Sequence, residues 1–210
     1  MVQYEIIGAS RTSMLFGLAI FSTILSSSLT RLFTSFNLTV VAPSGLMIFG
    51  ILFFLFDRFL WKFPGINYLT GVPNISGIWE GSGHIEYFAG VDERADAGEV
   101  KSIVIVTQSW TRIDLVLMSP STRSRLKVAS LDCSNSLFPS LTYIYEVKPT
   151  KTGGFLQSPA EGACETTIHR NENSRMVGTW YSGEDKTGLF SLKKVYKPEE
   201  VTKSDVSEIH

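Results

Sequence analysis

Apolar residues crowd the first third of the chain, and in the remainder they alternate with polar ones in short segments. Residues 12–30 carry no charge, and a run opening with Met14-Leu15-Phe16-Gly17-Leu18-Ala19-Ile20-Phe21 reaches Ile24, Leu25 and Leu29. At about 1.5 Å per residue this stretch approaches the ~30 Å hydrocarbon thickness of a bilayer and predicts a membrane-spanning helix. A second uncharged stretch covers residues 32–56 and is densest over 46–56. Asn37, Pro43, Ser44 and Gly45 interrupt its first half, so the second helix is expected to begin between Val40 and Gly45 and to end near Trp61 and Lys62. Two consecutive spans read as a hairpin. A cleaved signal peptide is the first alternative, with Arg11 ahead of the run and Ser26-Ser27-Ser28 after it. The second is a pair of buried core helices, for which the remaining mass is small.

Beyond Pro64-Gly65 the period changes. Eight segments of β-branched and aromatic residues can be read at 76–87, 99–108, 110–118, 123–131, 141–148, 162–169, 176–182 and 187–196. Turn-forming stretches separate them, among them Ser119-Pro120-Ser121, Ser134-Asn135-Ser136 and the acidic stretch at 92–98. No helical period intervenes, which excludes parallel βαβ units. Eight strands are also the number at which a barrel closes around a filled interior or one small ligand. The fold class expected is therefore two N-terminal transmembrane α-helices followed by a small eight-stranded antiparallel up-and-down, lipocalin-like β-barrel. Its organisation is a helical hairpin over 1–66, a linker over 67–74, the barrel over 75–197 and a charged, disordered tail over 198–210.

Alternation assigns faces in part. In the first segment Ile75, Gly77, Trp79, Gly81, Gly83 and Ile85 should point inward, with Ser76, Glu80, Ser82, His84 and Glu86 outward. Tyr143 with Tyr145, Met176 with Trp180, and Phe190 with Leu192 share faces elsewhere, which makes an aromatic interior. Such an interior is either a filled core or a pocket whose rings stack on flat heterocycles. For the second and fourth segments the pattern leaves the inward face open.

Charge refines this picture. The 210 residues hold 19 basic and 20 acidic side chains, too balanced for a protein that coats DNA or RNA. Arg11, Arg58 and Lys62 flank the hairpin on one side against Arg31 in the connection, so the positive-inside tendency places both termini in the cytoplasm of a multi-pass protein. Trp61 and Tyr68 suit an interfacial aromatic belt, and Asp57 with Arg58 an interfacial pair. Gly17, Ser22, Ser26 and Gly50 would allow close helix approach.

Catalytic chemistry finds little support. His84 and His169 have no neighbouring Cys or His at metal-ligand spacing, and no glycine-rich phosphate loop precedes a helix. Neither a catalytic residue, a metal site nor a cofactor is expected. Cys133 and Cys164 would be thiols in a cytoplasmic barrel and could bridge in an extracytoplasmic one.

The layout then becomes specific. Two spans precede Pro73-Asn74-Ile75-Ser76-Gly77-Ile78-Trp79-Glu80-Gly81; next come Gln108-Ser109-Trp110 with Ile113, Leu115 and Leu117, then Ser124, then Leu141, Tyr143 and Tyr145, and finally Gly178-Thr179-Trp180-Tyr181 with Gly188 and Leu192. Gly77-Ile78-Trp79 resembles the G-x-W signature of lipocalin-like barrels. The whole resembles the two-transmembrane β-barrel membrane effectors of bacterial cyclic-oligonucleotide antiphage signalling systems (CBASS). One departure is Ala160-Glu161-Gly162, where a histidine would be expected before the glycine.

That resemblance implies an antiphage effector in the bacterial inner membrane. Its barrel would bind a cyclic dinucleotide made by a cognate nucleotidyltransferase, its only link to that enzyme. Binding would drive homo-oligomerisation of the helices and disruption of the lipid bilayer. Trp79, Trp110, Tyr143, Tyr145 and Tyr181 are then candidate stackers on the bases, and Gln108, Arg112, Ser124, Arg125 and Thr166 candidate polar contacts. Arg112, Arg123, Arg125 and Lys127 also fit an ordinary solvated outer face. Two other functions remain compatible with the pattern: a membrane-tethered carrier of an apolar ligand, and a membrane-anchored interaction module.

Overall fold

The first apolar run forms α1 (Arg11–Ser35), whose hydroxyl residues would be costly in lipid without partners. Ser22, Thr23, Ser27, Ser28, Thr30 and Thr34 each donate to a backbone carbonyl three or four residues earlier, so the helix satisfies them internally. The computed structural model describes residues 1–8, 11–36, 44–88, 94–119, 122–135, 137–149, 160–169, 175–182 and 186–195. Among these, α1 alone is by itself long and apolar enough to cross a membrane. Phe16, Ile20, Phe21 and Ile24 are exposed along it, which a helix buried in a protein core would not allow.

The second run forms α2 (Gly45–Arg58), opened by Ser44, whose Oγ accepts from the Met47 amide at 3.2 Å. Its 14 residues rise only about 21 Å, less than the expected helix reaching Trp61 or Lys62. The chain leaves α2 at Phe59 and winds a short 3-10 turn, Leu60–Lys62, before α3 (Pro64–Thr70). That turn carries Trp61 into the protein, which explains the early end. Ser22 is buried, and Gly45 lies against Thr23 and Ser26, so two of the small residues expected at the contact are near it. At Gly17 and Gly50 an added methyl would meet nothing within 4 Å; those two face away.

The alternating remainder forms β3 (Gly77–Phe88), β4 (Arg94–Gln108), β5 (Arg112–Met118), β6 (Thr122–Asp132), β7 (Ser140–Pro149), β8 (Ala160–His169), β9 (Arg175–Ser182) and β10 (Lys186–Val195). Each pairs antiparallel with the next, β10 returns to β3, and β5 meets β6, which closes the eight-stranded barrel. The expected strands are all present. Two boundaries differ: β4 begins at Arg94, inside a stretch read as a turn, and Trp110 sits in the β4–β5 turn. A register shift at Ile85/Glu86, with Gly98 at φ +93°, lets that longer hairpin continue past its glycine. Residues 198–210 lie outside the described residues.

The faces follow alternation where it is regular. Trp79, Leu141, Tyr143, Tyr145, Cys164, Ile168, Met176 and Leu192 are buried. The two strands that pattern left open are settled: Val104, Val106 and Gln108 face in on β4, and Ser124, Leu126, Ala129 and Leu131 on β6. A bulge at Lys127/Val128 puts both residues outside and reverses the parity along β6.

The wall contains one element the pattern reading missed. β5 and β6 pair only over Val116–Met118 and Arg123–Arg125, then separate. Into the gap goes the segment ahead of α1. β1 (Val2–Gln3) pairs with Ile113 and Arg112 of β5, while β2 (Glu5–Ile7) runs parallel to residues 130–132 of β6. Tyr4 and Ile6 are buried there, so the N-terminal segment seals the seam with its own apolar side chains.

Candidate ligand-binding site

The barrel has two unlike ends. At one lie the β4–β5 turn, the facing ends of β6 and β7, the lead-in to β3 and the N-terminal segment; at the other lie the strand ends Phe88, Met118, Pro149 and Ser182 and the starts of the strands that follow them. The first end is a floor built of committed polar groups. Trp79 Nε1 donates to the Ile75 carbonyl at 2.9 Å, fixing the indole across the base of the lumen. Gln108 Oε1 accepts from the Ile75 amide at 3.0 Å, and its Nε2 donates to the Tyr4 hydroxyl at 3.1 Å and the Pro73 carbonyl at 3.3 Å. Every hydrogen-bonding atom of this buried amide is engaged. Lys194 lies over the Trp79 ring with Nζ 5.6 Å from its centroid, and half-burial pulls the ammonium below its usual range. Burial raises the Tyr4 phenol to about 12, so it stays neutral and donates to the Ser109 carbonyl.

Beneath this floor the barrel is fastened to both helices at one turn. Asp57 at the end of α2 accepts from the Ser109 hydroxyl (3.1 Å), the Thr111 amide (2.7 Å) and the Thr111 hydroxyl (2.8 Å). The Trp110 amide donates to the Asp57 carbonyl at 3.1 Å. Arg11, the first residue of α1, donates to the Trp110 carbonyl at 3.3 Å and lies over the Tyr4 ring. Trp110 packs edge-on against Phe56 and tilted against Trp61, with ring centroids 5.2 and 6.2 Å away. Two expectations are corrected here. Asp57 is a cap on the 109–111 turn rather than half of an interfacial pair with Arg58, and Trp61 is fully buried against the barrel rather than set in an interfacial belt.

Toward the other end the interior is aromatic and hydroxyl-bearing. Tyr143 and Tyr145 stand two apart on β7, rings 6.0 Å apart and tilted by 53°. Tyr145 lies across Gly162 of the neighbouring strand, where any Cβ would collide with the ring, and donates to the Tyr181 carbonyl at 3.4 Å. Trp180 occupies the space over Gly188 in the same way, and Phe190 the space over Gly178. These glycines are ring seats, which supplies a reason for Gly162 following Ala160-Glu161. Thr166 Oγ1 sits 3.4 Å from Cys164 Sγ, with Tyr143 opposite Cys164 in register. Burial pushes the Tyr143, Tyr145 and Cys164 groups upward, so all three are neutral near pH 7. Ser124 is buried on β6, facing Val147 and Leu117 across its two strand pairings.

The ten candidates therefore separate. Ser124, Tyr143, Tyr145 and Thr166 converge on the interior, while Trp79 and Gln108 make its floor. Trp110 is buried outside the lumen, under the floor. Arg112, Arg125 and Tyr181 are exposed on the outer wall, Arg125 with its guanidinium 3.8 Å from Asp114. Tyr181 points out because Trp180 takes the inward position, and the two arginines alternate with the inward Ile113, Ser124 and Leu126. Sequence reasoning missed Tyr4, Arg11 and Asp57 as parts of this region. A signal for Tyr4 was present: Val2, Tyr4 and Ile6 repeat at the strand period, in a segment too short to stand out beside the span. Both cysteines are buried and form no disulfide, and among the described residues no His, Cys, Asp and Glu cluster could hold a metal.

Comparison with known proteins gives two matches. A family model described as the Cap15 cyclic dinucleotide receptor domain covers residues 70–194, and one described as the Cap15 TM helices covers residues 13–62. Among curated proteins, none matches the chain.

Proposed function

The chain belongs to the Cap15 family, carrying both its transmembrane-helix and its cyclic dinucleotide receptor regions, and from that premise we propose an antiphage effector whose barrel binds a cyclic dinucleotide and commands the helices. The ligand is an activator made by a cognate nucleotidyltransferase, and no resident cofactor or catalytic residue is assigned. The observation that carries this reading is the convergence of Tyr143, Tyr145, Ser124 and Thr166 on the barrel interior, above a floor already saturated with hydrogen bonds. Tyrosine rings offer faces to bases, and neutral hydroxyls offer donors to phosphate oxygens. Gln108, whose amide is committed, is better read as part of the floor than as a ligand contact.

The floor also suggests how occupancy reaches the membrane. Gln108 immediately precedes the 109–111 turn that holds Arg11 of α1 and Asp57 of α2. A ligand that favours a different floor geometry would shift both helices together, provided it binds that state more tightly. Release of the hairpin then permits self-association in the bacterial inner membrane and loss of its barrier. The attachment of β1 and of the end of α2 to the barrel supports a hairpin whose two ends lie on the barrel's side of the membrane, and the flanking Arg11, Arg58 and Lys62 favour the cytoplasm as that side.

The test uses the full chain, since Met1 to Ile7 complete the barrel wall. Protein in lipid nanodiscs is melted with a panel of cyclic dinucleotides. The cognate ligand at 100-fold over its Kd should stabilise by about 2.7 kcal/mol, and it should release dye from proteoliposomes. No melting shift with any member of the panel overturns the receptor reading; a shift without dye release overturns only the membrane-disruption step.

A further inference from the structure

The β6–β7 turn at the floor end displays two large apolar side chains to the outside, Leu137 at 57% and Phe138 at 45% exposure. A turn tip facing water is normally polar, and this one is not loosely held. The Asn135 side chain accepts from the Leu137 and Phe138 amides at 3.1 and 3.2 Å, and Asp132 accepts from the Ser134 amide at 2.8 Å. Side-chain caps of this kind fix a turn's shape. Phe138 is further braced edge-on against His169, ring centroids 5.2 Å apart. The protein thus holds the pair in a defined outward pose.

Its position names the occupant. The Cys133 amide donates to the Ile7 carbonyl at 2.8 Å, and Gly8 is packed so closely against Ser134 that a methyl there would collide with it. Three residues later, Arg11 begins the helix long enough to cross a membrane. At the same end of the barrel, where α2 leaves, Phe59 and Phe63 are exposed on either side of the buried Trp61, with Arg58 and Lys62 among them. Exposed Phe and Leu interspersed with Lys and Arg next to a span is the composition of a surface that rests in the headgroup layer. A polar medium would instead leave these side chains as an unexplained apolar patch.

We infer that the β6–β7 turn is a membrane contact in its own right: Leu137 and Phe138 insert into the interfacial layer of the bilayer that the helices enter. The barrel would then stand on its floor end, held there by the hairpin and by this turn.

The experiment contains no cyclic dinucleotide, so its outcome is separate from the receptor reading. Full-length Leu137→Cys, Val128→Cys and Phe16→Cys variants are labelled with an environment-sensitive fluorophore in nanodiscs of phosphatidylethanolamine and phosphatidylglycerol. Unmutated protein, whose two thiols are buried, is the blank. A turn seated about 5–10 Å into the interface should bring its probe within reach of shallow acyl-chain quenchers, roughly doubling quenching over the Val128 position on the outer wall. The Phe16 probe on α1 reports that the helices are in lipid. Quenching at Leu137 no greater than at Val128, while Phe16 is quenched, overturns the inference. So does fluorescence transfer between labelled Leu137 positions of separate chains, which would assign the surface to a second copy.

Discussion

At the floor of the barrel, polar side chains are tied into a saturated network; toward the opposite end, they are fewer, held by longer contacts and set among aromatic rings. Gln108 spends its whole amide on Ile75, Tyr4 and Pro73, and Asp57 accepts three hydrogen bonds from one turn. Ser124, by contrast, is buried between Val147 and Leu117, two aliphatic neighbours, and Tyr145 makes a single long bond to a carbonyl. The difference teaches how one small barrel divides its polar side chains between the fold and the interior. A saturated network is stiff and moves as a unit, whereas a lining of rings with long polar contacts is easier to rearrange.

Breaking the floor should have the largest effect. Trp79→Ala removes the indole that spans the base and its bond to Ile75, and should cost about 3–5 kcal/mol in a denaturant or thermal melt. An undisturbed melting temperature would show that the floor does not carry the barrel's stability. Asp57→Ala comes next. It leaves Ser109 and Thr111 without their shared acceptor, and hydrogen bonds to a charged group are worth about 1.5–3 kcal/mol. Cyclic dinucleotide affinity should stay unchanged while the ligand concentration needed for vesicle leakage shifts; equal leakage curves would detach Asp57 from transmission.

The alkaline limb of stability sharpens the same contrast. Burial raises the Tyr4 phenol from 10.0 to about 12, so the folded state favours its neutral form. That contribution is complete below pH 10.0 and is lost as pH climbs toward about 12. Melting temperature should therefore fall across that window, and less steeply in Tyr4→Phe. The smallest structural effect is expected away from the floor: Ser124→Ala removes one buried hydroxyl and should change stability by no more than about 1.5 kcal/mol, yet weaken cyclic dinucleotide binding measured by calorimetry. Unaltered affinity would remove Ser124 from the site.

Legibility along the chain tracked how local the determining physics is. The helices and eight strands could be read because apolar runs and period-two alternation depend only on neighbours in sequence. On β6 the inward face stayed open, since a bulge at Lys127 and Val128 inverts the faces and nothing in composition announces it. Arg112 and Arg125 fitted a ligand contact or a solvated outer face, and Tyr181 a stacking ring; the barrel's parity sorted all three to the outside. Asp57 looked like an interfacial charge because its partners lie more than fifty positions away.

The sequence by itself determined a greasy hairpin joined to a rolled sheet, because burial periodicity is written residue by residue. Only the tertiary structure decided that Val2, Tyr4 and Ile6 finish the sheet's wall, that Gln108 belongs to the floor, and that both helices are tied to one three-residue turn. Those facts are pairings between distant segments. They arise when closure of the barrel brings particular backbone donors and acceptors together, and a one-dimensional pattern carries no record of which segments will meet.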